Sequence, residues 1–366
     1  MASIGARSVD VHTLKALFIR PQPDGVPPMT NPTPFRRNNV WGLVLAGGEG
    51  SRLRALTTQP CGTSVPKQFC SLDGGPTLIE DAITRASGLI DADRICAIVA
   101  QQHREWWTQV LRRMPEENII VQPRNRGTAI GVLYSLLHIL ARDPSARIVL
   151  FPADHYVRDE ATLRQSLHTA LQCLEDDPSS PVLLGLEPEE TDTELGYILP
   201  GPSDPSGATT VRRFVEKPEL GLASQIIDAG GLWNAFIIAA TAQQLLAMYT
   251  RRFAPVVMEM QVILSRCSQA GLPASAGWST LVDMYERLPD VDFSRQLLEG
   301  QESLLRVVRV PACGWSDLGT PHRVAEALRR LSGEDLVRRE HRHRHPTAHI
   351  SLAAMHAQSV STGASA

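Results

Sequence analysis

The chain has 366 residues, 43% of them hydrophobic and 20% charged, a profile that excludes wholesale disorder, collagen and coiled coil. A formal charge of -3 offers no basic face to a polyanion, so nucleic acid is not an expected partner. Six cysteines, at 61, 70, 96, 173, 267 and 313, contain no C-x-x-C and no close pair, which reads as neither a disulfide framework nor a zinc site and makes a reducing cytoplasm the expected compartment.

At about 150 residues per domain, the length allows two or three domains, or one large α/β unit with additions. Residues 1–39 carry several prolines and lack the apolar stretch of a secretory signal, so they read as a loosely ordered extension. No run approaches the roughly eighteen apolar residues of a membrane span. Residues 40–46, VWGLVLA, read as a buried strand that breaks into the glycine loop GGEG. Helices are expected over 77–90 and 104–114, with a buried strand over 94–100 between them. A short strand over 119–121, a helix over 128–142 and a strong strand over 147–151 follow, the last stopped by PADH. A helix over 160–174 and a strand over 182–185 continue the alternation. Such a pattern predicts a doubly wound, mostly parallel sheet with helices on both faces.

After about residue 190 the texture changes. Strands over 196–199 and 210–216, separated by a Pro/Gly/Ser-rich stretch, predict a small antiparallel insertion. Helices resume over 241–267, a strand spans 304–310, and a final helix over 321–331 has proline in its first turn. Residues 333–366 are Arg/His-rich and then Ser/Ala-rich, the composition of a disordered tail. Its His341, His343 and His345 read as solvated rather than metal-binding. The expected division is an extension over 1–39, a catalytic domain over 40–332 and a tail over 333–366.

Only three of the 36 basic residues are lysine: Lys15, Lys67 and Lys217. An arginine-biased chain that keeps lysine at two motif positions points to sites suited to a compact ammonium. In the loop Gly47-Gly48-Glu49-Gly50-Ser51-Arg52, glycines let backbone N–H groups approach phosphate oxygens, and Arg52 adds charge. Leu53 stands where the dinucleotide fingerprint needs glycine, and no Gly-Lys-Ser/Thr follows, so neither a Rossmann dehydrogenase nor a P-loop is supported.

LAGGEGSRL followed by PKQF (66–69) resembles the opening signature of sugar-1-phosphate nucleotidylyltransferases, in their mannose-1-phosphate guanylyltransferase branch. The resemblance continues in order. QPRNRGTA (122–129) is similar to the branch's EP-x-x-RNTA, PADH (152–155) to its strand-end PADH, and ELGYI (194–198) to its G-Y-G-Y-I. FVEKP (214–218) matches closely, LWNAF (232–236) resembles WNSGMF, and GWSDLGT (314–320) resembles GWSDVGS. The segments cover about residues 40–330.

The resemblance implies a Rossmann-like α/β nucleotidyltransferase domain. It assigns the triphosphate to Gly47, Gly48, Gly50, Arg52 and Lys67, with Ala46, Gly127 and Thr128 also on the nucleotide side. Sugar and sugar phosphate fall to Gly196, Glu216, Lys217 and Asn234. Asp154 and Asp317 are implied as ligands of Mg²⁺, and with Arg52 and Lys67 they form the implied catalytic set. The chain departs from the pattern in several places. The loop between Arg52 and Pro66 is longer, and Gly127 replaces asparagine. Thr193-Glu194-Leu195 differs before Gly196, and Ala235-Phe236 stand where the motif has Ser-Gly. Long members of the branch carry a C-terminal β-helix or cupin-like isomerase domain, and at 366 residues neither is expected here. Trp233 and Trp315 read as packing residues.

The expected reaction is GTP plus mannose 1-phosphate giving GDP-mannose and pyrophosphate. The alternatives are thymidylyl or uridylyl transfer to glucose 1-phosphate, and a non-catalytic paralogue that binds sugar nucleotide. The expected partners are these two small molecules, with a homodimer as a further option.

Overall fold

The computed structural model describes residues 39–59, 62–203, 207–267 and 274–332. The expectations for the N-terminal extension up to residue 38 and for the tail, with its three histidines, lie outside the described residues. Strand β1 (Val40–Ala46) is buried almost throughout, as an apolar run of this length requires when sheet neighbours flank it on both sides. It pairs in parallel with β2 (Ile95–Ala100) and with β4 (Arg147–Pro152), and β2 pairs in parallel with β3 (Ile119–Gln122). The order β3-β2-β1-β4 is that of a Rossmann half, in which the carboxyl ends of the strands share one edge.

The rest of the nine-stranded sheet is built differently. Strand β8 (Leu232–Thr241) lies between β4 and β5 (Val182–Leu186), antiparallel to both. Beyond β5 follow β9 (Arg306–Val310), β7 (Thr209–Glu216) and β6 (Gly196–Ser203), and β6 also pairs with β8 through Tyr197 opposite Trp233. The α/β class is as expected. The sheet, however, is mixed rather than mostly parallel, and its antiparallel part is no small insertion, because β8 carries that pairing into the middle of the sheet. The continuous apolar run FIIAA suits a strand with neighbours on both sides.

Helix α1 (Leu78–Ser87) starts with a capping box in which the backbone N–H of Thr77 donates to Glu80 Oε2 at 2.8 Å. Helices α2 (Arg104–Val110), α3 (Gly127–Arg142) and α4 (Glu160–Asp176) fall where expected, with shifted ends. Helices α5 (Leu220–Asp228) and α7 (Ala274–Arg287) were not anticipated. The 242–267 region is one helical run, α6 (Ala242–Cys267), broken at Phe253 two residues before Pro255. Helix α8 (Pro321–Ser332) closes the described chain. The core is mainly aliphatic, with Leu43, Ile98, Leu136, Ile148, Leu150, Leu183 and Ile238 among its members, and a few aromatics such as Tyr249, Tyr285 and Phe293 are packed into it. Among the described residues no helix is long and apolar enough to cross a membrane.

Candidate active site

Where β1 ends, Gln68 shapes the glycine loop. Its Nε2 donates to the carbonyls of Ala46 (2.9 Å) and Gly48 (2.8 Å). A Cβ on Gly50, which sits at φ 61°, would stand 2.9 Å from the backbone nitrogen of Lys67, so the loop packs directly on PKQF. At the end of β3, Asn125 Oδ1 accepts from the N–H of Gly127 at 2.9 Å, and α3 begins. A Cβ on Gly127 would meet Val291 O at 2.2 Å, which explains glycine here. Thr128 Oγ1 then accepts from the N–H of Phe293 (3.0 Å), tying the start of α3 to the far segment.

Two antiparallel backbone bonds of 2.9 Å between Tyr156 and Ser316 join the loop after β4 to the turn after β9. That bridge brings Asp154 and Asp317 together. Lys67, only 4% exposed, fastens the same junction. Its Nζ donates to Asp317 O (2.7 Å) and Leu318 O (3.3 Å), and pairs with Asp154 Oδ2 at 3.0 Å. Burial alone would raise the Asp154 carboxyl, but Lys67 and then His155 outweigh it and hold it below the usual range. Asp317 Oδ1 accepts from Arg323 Nη1 (2.6 Å) and from the N–H of Gly319 (2.9 Å), while Arg52 Nη2 lies 3.7 Å from Oδ2. Burial opposes ionisation here too, and Arg323 overcomes it. Arg323 continues to Asp192, completing a chain Asp317–Arg323–Asp192 that is buried at its first two members and half-buried at the third. His155 Nδ1 accepts from Trp315 Nε1 (3.2 Å), and burial pushes the imidazole down to about 4. It is therefore neutral at pH 7, with Nε2 facing Asp154 Oδ1 at 3.8 Å.

On the other side, β6 and β7 pair Gly196 with Glu216. Burial, followed by Asp292, pushes the Glu216 carboxyl up to about 7. Lys217 takes φ 51° and its N–H donates to Leu195 O at 3.2 Å. Asn234, at the start of β8, donates to Ser294 Oγ (3.4 Å) and accepts from the N–H of Phe236 (3.0 Å).

These groups line one cavity of about 550 Å³. Gly47, Gly48, Gly50, Arg52, Gly127 and Thr128 face it, as do Asp154, Asp317, Gly196, Glu216, Lys217 and Asn234. Two of the expected residues do not line it. Ala46 is buried in β1, and the buried ammonium of Lys67 is occupied by three protein acceptors. Sequence reasoning missed Gln68, Asp192 and Arg323. Gln68 was visible within PKQF, whereas no local pattern marks the other two.

A family model described as nucleotidyl transferase matches residues 41–333. The chain belongs to this family. Among its relatives, a mannose-1-phosphate guanylyltransferase of Salmonella montevideo is 30% identical over 293 residues, covering 76% of this chain and 58% of that one. The alginate biosynthesis protein AlgA of Pseudomonas aeruginosa is 27% identical over 284 residues, covering 76% of this chain and 56% of the relative. The chain thus spans a little over half the length of these curated relatives. A crystal structure titled mannose-1-phosphate geranyltransferase, from Thermus thermophilus, superposes with a TM-score of 0.63 at 28% identity, covering 77% of this chain and 76% of the other.

For a family member, the fit of the cavity to a divalent cation is decided by its donors. Asp154 and Asp317 are both held ionised and lie close enough for their charges to interact; Lys67 engages Asp154 Oδ2 and Arg323 engages Asp317 Oδ1, which leaves Asp154 Oδ1 and Asp317 Oδ2 as the donors for a cation. Among the described residues no cluster of three or more His, Cys, Asp or Glu could hold a metal. Two carboxylates suit an ion that takes its remaining oxygens from water and substrate phosphates, as Mg²⁺ does.

Proposed function

We propose that the chain transfers a nucleotidyl group from a nucleoside triphosphate to a sugar 1-phosphate, with GTP and mannose 1-phosphate as the pair. The observation that carries this reading is the single cavity shared by the glycine loop with Arg52, the two aspartates, and the Gly196–Glu216–Lys217–Asn234 group. The Salmonella relative's name supports the choice of pair.

In this reading the sugar phosphate oxygen attacks the α-phosphorus in line. A new P–O bond forms, the bond to the bridging oxygen breaks, and its electron pair leaves with pyrophosphate. The nucleophile is already anionic at pH 7, so no general base is needed; His155, held neutral, fits a positioning task. Catalysis reduces to orienting two polyanions and stabilising charge. Backbone N–H groups of the glycine loop and the Arg52 guanidinium serve the triphosphate, and Lys217 the sugar phosphate. Glu216, with a pKa near neutrality, accepts or donates a hydrogen bond to a sugar hydroxyl. Asp154 and Asp317 would hold Mg²⁺, which when bound neutralises charge on the phosphates.

The test is pyrophosphate release across a grid of four nucleoside triphosphates and several sugar 1-phosphates, with Mg²⁺. GTP with mannose 1-phosphate should give the highest kcat/KM. Fastest release with dTTP or UTP and glucose 1-phosphate would replace the pair, and no release in any cell would leave only a binding role.

A further inference from the structure

Phe236 stands in a backbone conformation that argues against its own side chain. Its φ is 54°, in the left-handed region, where a bulky residue is strongly disfavoured and where the resembling motif carries glycine. Two contacts hold it there. Its N–H donates to Asn234 Oδ1 at 3.0 Å, and its ring meets Phe293 edge-on at a centroid distance of 5.4 Å. Asn234 and Phe236 are two residues apart on β8 and both line the 550 Å³ cavity, while Ala235 between them is fully buried.

The neighbouring wall is polar and tight. A Cβ on Gly196 would stand 2.5 Å from Glu216 Oε2 and 3.3 Å from Asn234 Cβ. Hydrogen-bonding groups thus sit beside one half-buried, flat apolar ring. A pyranose has the same division, with hydroxyls at its rim and a C–H face. We propose that Phe236 is a specificity-determining residue: its ring packs against the C–H face of a hexose, and its bulk closes the space that a larger sugar, such as an acetamido sugar, would need. The proposal rests on the reading of the site as a sugar-1-phosphate nucleotidyl transferase. Strain retained at a ligand wall, where glycine would relieve it, is the pattern of a functional constraint.

The experiment compares the wild-type chain with Phe236→Gly, Phe236→Leu and Phe236→Tyr. Pyrophosphate release is followed with mannose 1-phosphate, glucose 1-phosphate and N-acetylglucosamine 1-phosphate, at saturating levels of whichever nucleoside triphosphate the wild type uses fastest. Phe236→Gly should raise the hexose 1-phosphate KM by about tenfold and shift the kcat/KM ratio toward the acetamido sugar by about tenfold. The nucleotide KM should stay within about twofold. Phe236→Tyr, which keeps the ring, should behave as wild type, and Phe236→Leu should fall between. Glycine suits φ 54°, so its variant should remain folded in a thermal melt; if it does not, Phe236→Leu reports a smaller shift in the same direction. An unchanged hexose KM and sugar ratio in folded variants, or an equal rise in the nucleotide KM, overturns the role of Phe236 alone. A wild type that turns over no pair overturns the functional reading and this assignment together.

Discussion

The two halves of the sheet solve one problem, turning the backbone sharply at a ligand cavity, in different ways. In the β3-β2-β1-β4 half the left-handed positions at the cavity, Gly50 and Gly127, are glycines. In the half built from β5 to β9, Gly314 is left-handed next to the cavity-lining Trp315, but Lys217, Phe236 and Leu318, at the cavity or beside it, take the left-handed region with full side chains. The first half uses its turns to let backbone approach a ligand. The second half uses its turns to aim side chains, with each strained residue costing on the order of 1–3 kcal/mol. Those residues are held by pairings made elsewhere: Lys217 by Leu195, Phe236 by Asn234, and Leu318 by Lys67.

The largest expected effects arise where the halves meet. Asp154→Asn and Asp317→Asn should each lower kcat by about 10²-fold or more, measured against Mg²⁺ concentration with melts as a folding control. If both act through one ion, the double variant should lose far less than the product of the single losses. Fully multiplicative losses with an unchanged Mg²⁺ requirement would separate the two aspartates.

Gly127→Ala tests the glycine half. The new Cβ would lie 2.2 Å from Val291 O at a φ of 78°, so stability should fall by about 2 kcal/mol or more in a denaturant titration. A melt indistinguishable from wild type would mean that the contact relaxes freely.

Lysine variants sharpen the contrast further. Lys217 lines the cavity, so Lys217→Ala should raise the KM for sugar phosphate by about tenfold, consistent with loss of one charged hydrogen bond. Lys67 is buried and joins Asp154 to the 317–318 turn. Lys67→Ala should therefore lower the melting temperature and impair use of both substrates. A pure nucleotide KM effect with unchanged stability would show that the ammonium leaves its protein acceptors for phosphate.

The smallest effect lies away from the cavity. His138, on α3, packs edge-on to Tyr134 at 4.6 Å, and burial followed by Arg142 pushes it down to about 4 from the usual 6.5. Its folded-state pKa is depressed, so its contribution to stability is complete above pH 6.5 and is lost as pH falls toward 4. Melting temperatures across that window should fall less steeply in His138→Leu than in wild type. Parallel slopes would remove His138 as a source of the acid sensitivity.

Much of the glycine half was legible without coordinates. A buried apolar run that breaks into glycines is a local signal, and β1 with its loop depends on consecutive residues whose backbone demands are set by their own side chains. The motifs placed Asp154, Glu216, Lys217, Asn234 and Asp317 in candidate roles, and all of them line the cavity. Strand β8 was not legible as a strand, because the WN motif and the left-handed Phe236 interrupt its periodicity. Its place between β4 and β5 comes from pairing across the sheet.

What the sequence by itself determined was the order of elements in the first half and the identity of the motif-borne polar groups at the cavity, such as Arg52, Asp154, Glu216, Lys217, Asn234 and Asp317. Tertiary structure alone decided which of those groups face the cavity and which support it. Lys67 finds its carbonyl partners 250 and 251 residues away, and Arg323 joins Asp317 to Asp192, 131 residues upstream of itself. No local propensity encodes such contacts. They form because burying a charge without a partner costs more than ordering the chain that brings the partner, so the folded sheet, and not the neighbouring sequence, selects which carboxylate or carbonyl each cation meets.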